Sequence, residues 1–574
     1  MDLFSTQDFP NIESDYNLFF QEELVFFYFH NYRNSSFSDI GILSTRFGYI
    51  LQLLKQNLHN NICGSFEYLI LFYRLLGHTR STLYGKGEHD LSYLMLWNWY
   101  KYFPTLAIYA VHRFVKCVDG QTSPFGSWRD IKYLCQFVSK HSDLHQDHSF
   151  IDVCCDLMNS QLDIDLDIQH MSSIPNLTQP ISNVAKWIPR EHKQFDWLYN
   201  KLVLHWIRKN KPYILNTATD LSYFSAISKS KRLYRKKISF LNKIIDTTQI
   251  KLCARNRQNI IPNHVSRYTQ MKLPKLVFGY GDNDQEDRQL CSDHFTNWFD
   301  SNGEHSVSNQ TVAPLPIYHY VKRAFLLLST QTTISDKSIA SQKNILDKQW
   351  ILLSNSFNHS RFGNSIPIID VSDHMYNLNS DSYYAAIGYA ILLAQNSSFS
   401  NRILAVDDLP TWIHFDTNQG FVSIVEQIQR SIYSSSCSHT NFHAAFHLIG
   451  KTIQDSMLNH HNVRHLRMVL FSTFSDLSSD HSLYDNILSI LNNYCFHIPF
   501  IAFWNLSKSS NDKLPCSIHQ HSTALLSGFS PFLLHQLLDK YRRFHTTPYK
   551  TVCNILRHTN YDVLENYIRQ IRKH

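Results

Sequence analysis

The sequence predicts a multidomain α plus α/β protein, with an α-helical repeat region over residues 1–345 followed by a doubly wound parallel sheet over residues 360–574. Three observations carry this reading. A chain of 574 residues, 43% of them hydrophobic, is too long for one compact core and divides into domains. From residue 1 to about 280, apolar residues recur at i, i+3 and i+4, without strand-like alternation. After residue 360, short apolar runs alternate with helical segments, the pattern of a parallel sheet covered on both faces.

In chain order, Leu18–Phe29, Phe47–Leu58, Phe66–Leu76, Leu91–Trp99, Leu106–Val118 and Ile131–Val138 show helical periodicity, joined by short connectors with Gly, Ser or Asn. Stacked helix pairs of about 40 residues would form a solenoid of roughly six to eight units. Residues 281–312 are polar and acidic and read as a surface insertion; residues 330–345, rich in Ser, Thr, Gln and Lys, read as a second surface segment after a helix at Ile317–Leu328. Buried strands are expected at Ile366–Val371, Ile403–Val406, Leu466–Ser472, Pro499–Leu506 and Ala524–Gly528. Helices are expected between them at Tyr383–Leu393, Phe421–Ile432, Phe442–Met457 and Leu483–Leu491, and at the end at Pro531–Tyr541 and Tyr561–Ile571.

Composition excludes several classes. Aromatic residues make up 14%, against only 16 Gly and 17 Pro, so the chain is neither collagen-like, nor low-complexity, nor mostly disordered. No apolar stretch approaches the roughly 20 residues of a membrane span. The start, with Asp2 and no basic region, is unlike a secretory signal. The eleven cysteines are scattered with no CxxC, which points to reduced thiols, no zinc finger and an intracellular chain. The cytoplasm is the expected compartment, with the nucleus and a virus particle as the alternatives.

Charge is unevenly spread. Residues 186–276 hold 20 Lys and Arg against 4 acids, a net +16, so the rest of this +7 chain carries −9. Just upstream, residues 141–170 hold seven Asp and no Lys or Arg. Such asymmetry marks an acidic partner, by default nucleic acid, whose phosphates shed counterions to Lys and Arg. The densest basic part contains Lys229, Lys231, Arg232, Arg235, Lys236 and Lys237, with Arg255 and Arg257 beyond it. Tyr223, Phe224 and Tyr234 are interleaved and suit stacking on unpaired bases. A solvated helix face, or neutralisation by the 141–170 acids, are the competing readings.

One motif stands where the first strand should end: Asp370-Val371-Ser372-Asp373-His374-Met375. Ligands of open α/β sheets bind at the carboxyl ends of strands. The loop resembles the D-x-S-x-S of the metal-ion-dependent adhesion site of von Willebrand factor A (vWA) domains, which a distant Thr and Asp complete. Mg²⁺ takes about six hard oxygen ligands including waters, and a partner's acidic group fills the open position. Asp370 and Ser372 fit, and Thr440 fits the Thr position. His374 replaces the second Ser and Thr473 the distal Asp, with Asp476 three residues on. The loss of two oxygen ligands implies weak Mg²⁺ binding or none, and no cofactor is otherwise expected.

The C-terminal region resembles an uncharacterised family that joins a helical region to a vWA-like domain in large DNA viruses, plants and fungi. The resemblance runs along most of the chain. It rests on Gly85-Lys86-Gly87-Glu88-His89-Asp90, Gly126-Ser127-Trp128-Arg129-Asp130, Trp187-Ile188-Pro189-Arg190, Tyr234-Arg235-Lys236, Leu315-Pro316 and Gln349-Trp350. Pro499 to Leu506 and Leu526 to Pro531 continue it. That family is similar in layout to the TROVE proteins of the Ro autoantigen type, helical repeats closed by a vWA domain that bind small RNAs. The resemblance implies a HEAT-like repeat region, a vWA-like sheet and RNA as the partner.

Other constellations carry less. His141, Asp143, His145, Asp147 and His148, and His460, His461 and His465, have metal-ligand residue types in surface-like contexts. Gly450-Lys451-Thr452 is like part of a phosphate loop but lies in a helical segment. No nucleophile or general acid is singled out, so no enzyme is expected. The leading expectation is a non-catalytic RNA-binding or nucleic-acid-binding scaffold, RNA or another polyanion being the partner, with no membrane role. The alternative is a protein-interaction or structural component, such as a virion component, acting through a protein partner at the vWA-like face.

Overall fold

The computed structural model describes residues 12–31, 37–117, 123–171, 181–210, 212, 220–262, 265, 269–270, 286–302, 315–329, 336–357, 362–373, 375–376, 380–399, 401–432, 440–456, 460–475, 482–494, 497–508, 513–537 and 546–573. The chain separates into two compact units, one of residues 1–92 with 296–574, the other of residues 93–295.

The larger unit holds a six-stranded sheet. In chain order its strands are β1 (Asn364–Asp370), β2 (Arg402–Val406), β3 (Thr411–His414), β4 (Leu466–Ser472), β5 (Phe500–Asn505) and β6 (Thr523–Ser527). The spatial order is β3-β2-β1-β4-β5-β6. All neighbours are parallel except β3, which runs antiparallel to β2 at the edge. Five strands match the apolar runs. The sixth, β3, was not legible, because Thr411-Trp412-Ile413-His414 is short and polar at both ends, as an edge strand tends to be. Strand order reverses between β1 and β4, so their carboxyl ends flank the switch-point crevice.

The long apolar run after residue 380 becomes the Ser380–Gln395 helix, nearly all buried. It crosses the Tyr318–Ser329 helix at Gly388, where a Cβ would stand 2.8 Å from Ile317 Cγ1 and 3.2 Å from Val321 Cγ2. Tyr389 on the same helix donates to the carbonyls of Gly528 and Ser530 at 3.0 and 2.9 Å, and Trp504 Nε1 also donates to Gly528 O at 3.0 Å. The Leu526 to Pro531 block is thus a backbone turn gripped by two aromatic side chains.

The Ile12–Phe29, Phe37–His59 and Ser65–Arg80 helices pack within this same unit. The Gly85 to Asp90 block wraps the end of the Ser65–Arg80 helix: the amides of Lys86, Gly87 and Glu88 donate to the carbonyls of His78, Ser81 and Thr79 at 3.0, 3.0 and 2.8 Å. A Cβ at position 85 would lie 1.9 Å from His78 O, so only glycine makes this turn. The block therefore satisfies helix-end carbonyls.

The smaller unit is helical: Pro104–Val115, Trp128–His141, Ser149–Met171, Asp196–Asn210 and Asp220–Ile245 are its main elements. Three expectations are corrected. The expected surface insertion contains a helix at Glu286–Asn302, with Cys291 and Phe295 buried. The polar segment before residue 345 includes the start of the Asp336–Asn355 helix, which buries Trp350. Pro531–Leu537 is a 3₁₀ helix, and an α-helix at Pro548–Leu556 follows. In the first two, a few buried apolar anchors outweighed polar average composition.

Candidate functional site

Two places hold the residues singled out by the sequence, and they lie in different units. In the smaller unit, the Asp220–Ile245 helix carries the basic cluster. Its buried side is formed by Ser230, Tyr234 and Leu241. Lys229, Arg232, Lys236 and Lys243 stand three, four and seven residues apart, on the opposite side, and are exposed.

Packing divides the cations into two sets. Lys231 and Arg235 both pair with Glu191, at 3.2 and 2.7 Å, and Lys237 pairs with Asp163. Upstream acids take further cations: Lys201 lies 3.3 Å from Asp152, and Lys209 lies 3.4 Å from Asp156. The 141–170 stretch thus neutralises part of the basic segment. Lys229, Arg232 and Lys236 have no ion pair among the described residues and keep their charge for solvent. Arg255 is exposed just after the Thr248–Cys253 helix, and Arg257 is half-buried in the 3₁₀ turn that follows, both off the Asp220–Ile245 helix.

The aromatic expectation is corrected at Tyr234. Its ring is fully buried against Tyr199 and Trp206, and its hydroxyl donates to Asn159 Oδ1 at 2.7 Å. It is a core residue that no base can reach. Phe224, 66% exposed, and Phe240, 45% exposed, are the aromatic rings on the solvent side, and Phe240 was missed. Lys243 was missed too; it stands beyond the crowded run of six cations, where only the helical spacing continues the stripe.

In the larger unit, Asp370 ends β1 and Ser472 ends β4, one register step beyond the Ile369–Phe471 pair. Asp370 Oδ1 accepts from the Ser372 amide at 3.1 Å and from Thr440 Oγ1 at 2.9 Å; Oδ2 accepts from Ser472 Oγ at 2.6 Å. The tertiary fold therefore brings Asp370, Ser372 and Thr440 together. Burial pushes the Asp370 carboxyl above its ordinary pKa, and the hydroxyl donors oppose this. Ser472, not Thr473, supplies the contact from β4; Thr473 Oγ1 meets Ser475 Oγ at 3.2 Å. His374 and Asp476 lie outside the described residues.

A cavity of about 500 Å³ opens over this carboxylate. Asp370, Thr440 and Ser472 lie at one end, and Phe442, Leu483, Ile487 and Ile490 supply apolar wall. Ser372 Oγ is buried and has no hydrogen-bond partner among the described residues. Among the described residues the site offers one carboxylate and three hydroxyls, so a divalent cation there would draw most of its roughly six oxygens from water and meet a single negative charge.

Among the described residues, no group of three or more His, Cys, Asp or Glu is placed to hold a metal, so His141, Asp143, His145, Asp147 and His148 do not converge. The side chains of His460 and His461 lie outside the described residues. Gly450 packs its backbone against Tyr494, whose Cδ2 would stand 2.4 Å from a Cβ, so Gly450-Lys451-Thr452 is a helix-packing site. No described helix is long and apolar enough to cross a membrane.

Comparison with known proteins adds three findings. A family described as a domain of unknown function (DUF7788) matches residues 364–559, from β1 to the turn before the last helix. The chain is 21% identical over 484 residues to an uncharacterised protein of Acanthamoeba polyphaga mimivirus, across 81% of this chain and 76% of that one. Among solved structures, the RO (RSR) protein of Deinococcus radiodurans aligns with 90% of this chain and 98% of its own, at 7% identity and a TM-score of 0.33.

Proposed function

We propose that the protein is a non-catalytic polyanion-binding scaffold, with RNA as its ligand and the solvent face of the Asp220–Ile245 helix as the contact. The observation that carries this is the stripe of Lys229, Arg232 and Lys236, exposed and without ion pairs among the described residues, continued by Lys243. Each cation that meets a phosphate releases condensed counterions. Phe224 and Phe240, exposed on the same helix, offer faces for unpaired bases. The sequence blocks resemble those of an uncharacterised family, and that family's similarity in layout to the RNA-binding TROVE proteins supports the same class of ligand.

Filter binding of the full chain to mixed single-stranded and structured RNA, at low and moderate salt, tests the reading. Affinity should fall by roughly 0.7 to 0.9 log units per log unit of salt for each phosphate contact. Replacing Lys229, Arg232 and Lys236 with Ala should weaken binding to all sequences alike and reduce that slope by about 2. Replacing Lys231 and Arg235, which pair with Glu191, should reduce it less. No binding at low salt, or a slope unmoved by the triple substitution, would sink the proposal.

A further inference from the structure

The cavity over Asp370 has a chemistry that the metal-site resemblance does not anticipate. Thr440 Oγ1 and Ser472 Oγ each own one proton, and both give it to Asp370. Neither has a proton left for the cavity; Ser472 Oγ also accepts from the Phe474 amide at 3.1 Å, so Thr440 Oγ1 keeps more of its lone-pair capacity than Ser472 Oγ does. Asp370 Oδ1 already has two donors, whereas Oδ2 has one and keeps acceptor capacity. Ser372 Oγ, beside them and 1% exposed, has no partner among the described residues. At this end of the cavity Asp370 Oδ2 and Thr440 Oγ1 are thus left as acceptors, and the Ser372 hydroxyl can accept as well as donate.

The charge there is a single one. Asp370 is the one carboxylate among the described residues that line the cavity, and no Lys or Arg lines it. Asp373 is exposed and outside the lining. A divalent cation would remain half-compensated in a site where burial already disfavours charge, and uncompensated buried charge is costly. A singly charged donor is matched one to one. The rest of the wall is mixed: Asn441, His443, Asn486 and Ser489 are polar, but Ile487 and Ile490 on one helix and Phe442 on another give it an apolar strip. A hydrated metal ion gains nothing from such a wall, whereas a methylene chain gains by lying on it.

We propose that this cavity receives the lysine side chain of a protein partner, its ammonium donating to the oxygens of Asp370, Thr440 and Ser472 and its stem lying along Ile487 and Ile490. The polarity is the reverse of a metal-bridged contact to an acidic partner. The inference stands apart from the RNA reading, which concerns the other unit.

Saturation-transfer NMR on the full chain tests it, with Nα-acetyl-lysine-N-methylamide as the probe. The probe should give signal with the wild type, and its Nε-acetylated form should not. Asp370→Asn keeps the shape and removes the charge; it should weaken the probe by roughly tenfold or more, the loss of a charge-assisted contact. Asn486→Trp, at an exposed lining position, should block entry without touching the carboxylate, which guards against a folding defect in the first variant. Probe signal unchanged in both variants would overturn the proposal. So would micromolar Mg²⁺ affinity that Asp370→Asn abolishes, or binding of spermidine without binding of the lysine probe, which would assign the site to a free polyamine.

Discussion

The Asn31 side chain donates to the Asn505 backbone carbonyl at 3.0 Å, and the Asn505 side chain donates in return to the Phe29 carbonyl at 3.1 Å. Residues 474 apart in sequence thus tie the end of the Ile12–Phe29 helix to the end of β5. Asn505 Oδ1 also accepts from the Ser507 amide at 2.8 Å, so every polar atom of its amide is engaged. Neighbouring Ser527 Oγ donates to Tyr28 O at 2.7 Å. These bonds are buried, and each broken one leaves a desolvated partner.

Asn505→Ala should therefore lower the stability of the larger unit by about 1–3 kcal/mol. Asn505→Asp should cost less on the Ser507 side but still lose the donor to Phe29. Urea unfolding followed by Trp fluorescence measures both; a shift below about 0.5 kcal/mol would place Asn505 among ordinary surface substitutions.

Lys86 should make stability depend on alkaline pH. Its side chain is fully buried, Nζ donates to His30 O at 2.9 Å, and burial drives its pKa from 10.5 to about 7, against a weaker upward pull from Glu88. In the unfolded chain the amine keeps its proton up to about 10.5. Between about 7 and 10.5 the unfolded state binds more protons, so the Lys86 contribution rises with pH and is lost as pH falls through about 7. Lys86→Met should flatten the stability difference between pH 7 and pH 10 relative to wild type. Parallel urea curves for the two proteins across that range would refute the assignment.

Tyr234→Phe separates packing from ligand contact. The substitution leaves Asn159 Oδ1 without its 2.7 Å donor in a buried place, which should cost about 1–3 kcal/mol of stability in the smaller unit. RNA affinity, measured at a temperature where the variant is fully folded, should not change. Phe240→Ala should do the opposite, weakening RNA by about 1–3 kcal/mol if a base stacks there, with little effect on stability. Exchange of those two outcomes would return Tyr234 to the ligand face.

Much of the fold was legible because its signals are local. The apolar runs at β4 and the helices Phe421–Ile432 and Leu483–Leu491 fall where periodicity placed them. Asp370 and Thr440 were legible as partners through the vWA resemblance, although 70 residues separate them. Ser472 was not, since a serine closing an apolar strand carries no signal until β4 is laid beside β1.

By itself the sequence determined the helical first half, the parallel sheet that follows, and the excess of positive charge in residues 186–276. Each is a property of neighbouring residues: spacing, alternation or sum. Only the tertiary structure decided which of those charges are available. Glu191 lies 40 and 44 residues from the Lys231 and Arg235 it neutralises, and Asp163 lies 74 from Lys237. A charge is consumed or left free by what packs against it, and that is set by which face of the Asp220–Ile245 helix buries Tyr234 and Leu241. The same holds for the carboxylate of Asp370: its identity is written in the chain, but the hydroxyl donors that engage it come together only where two strand ends and a distant threonine meet.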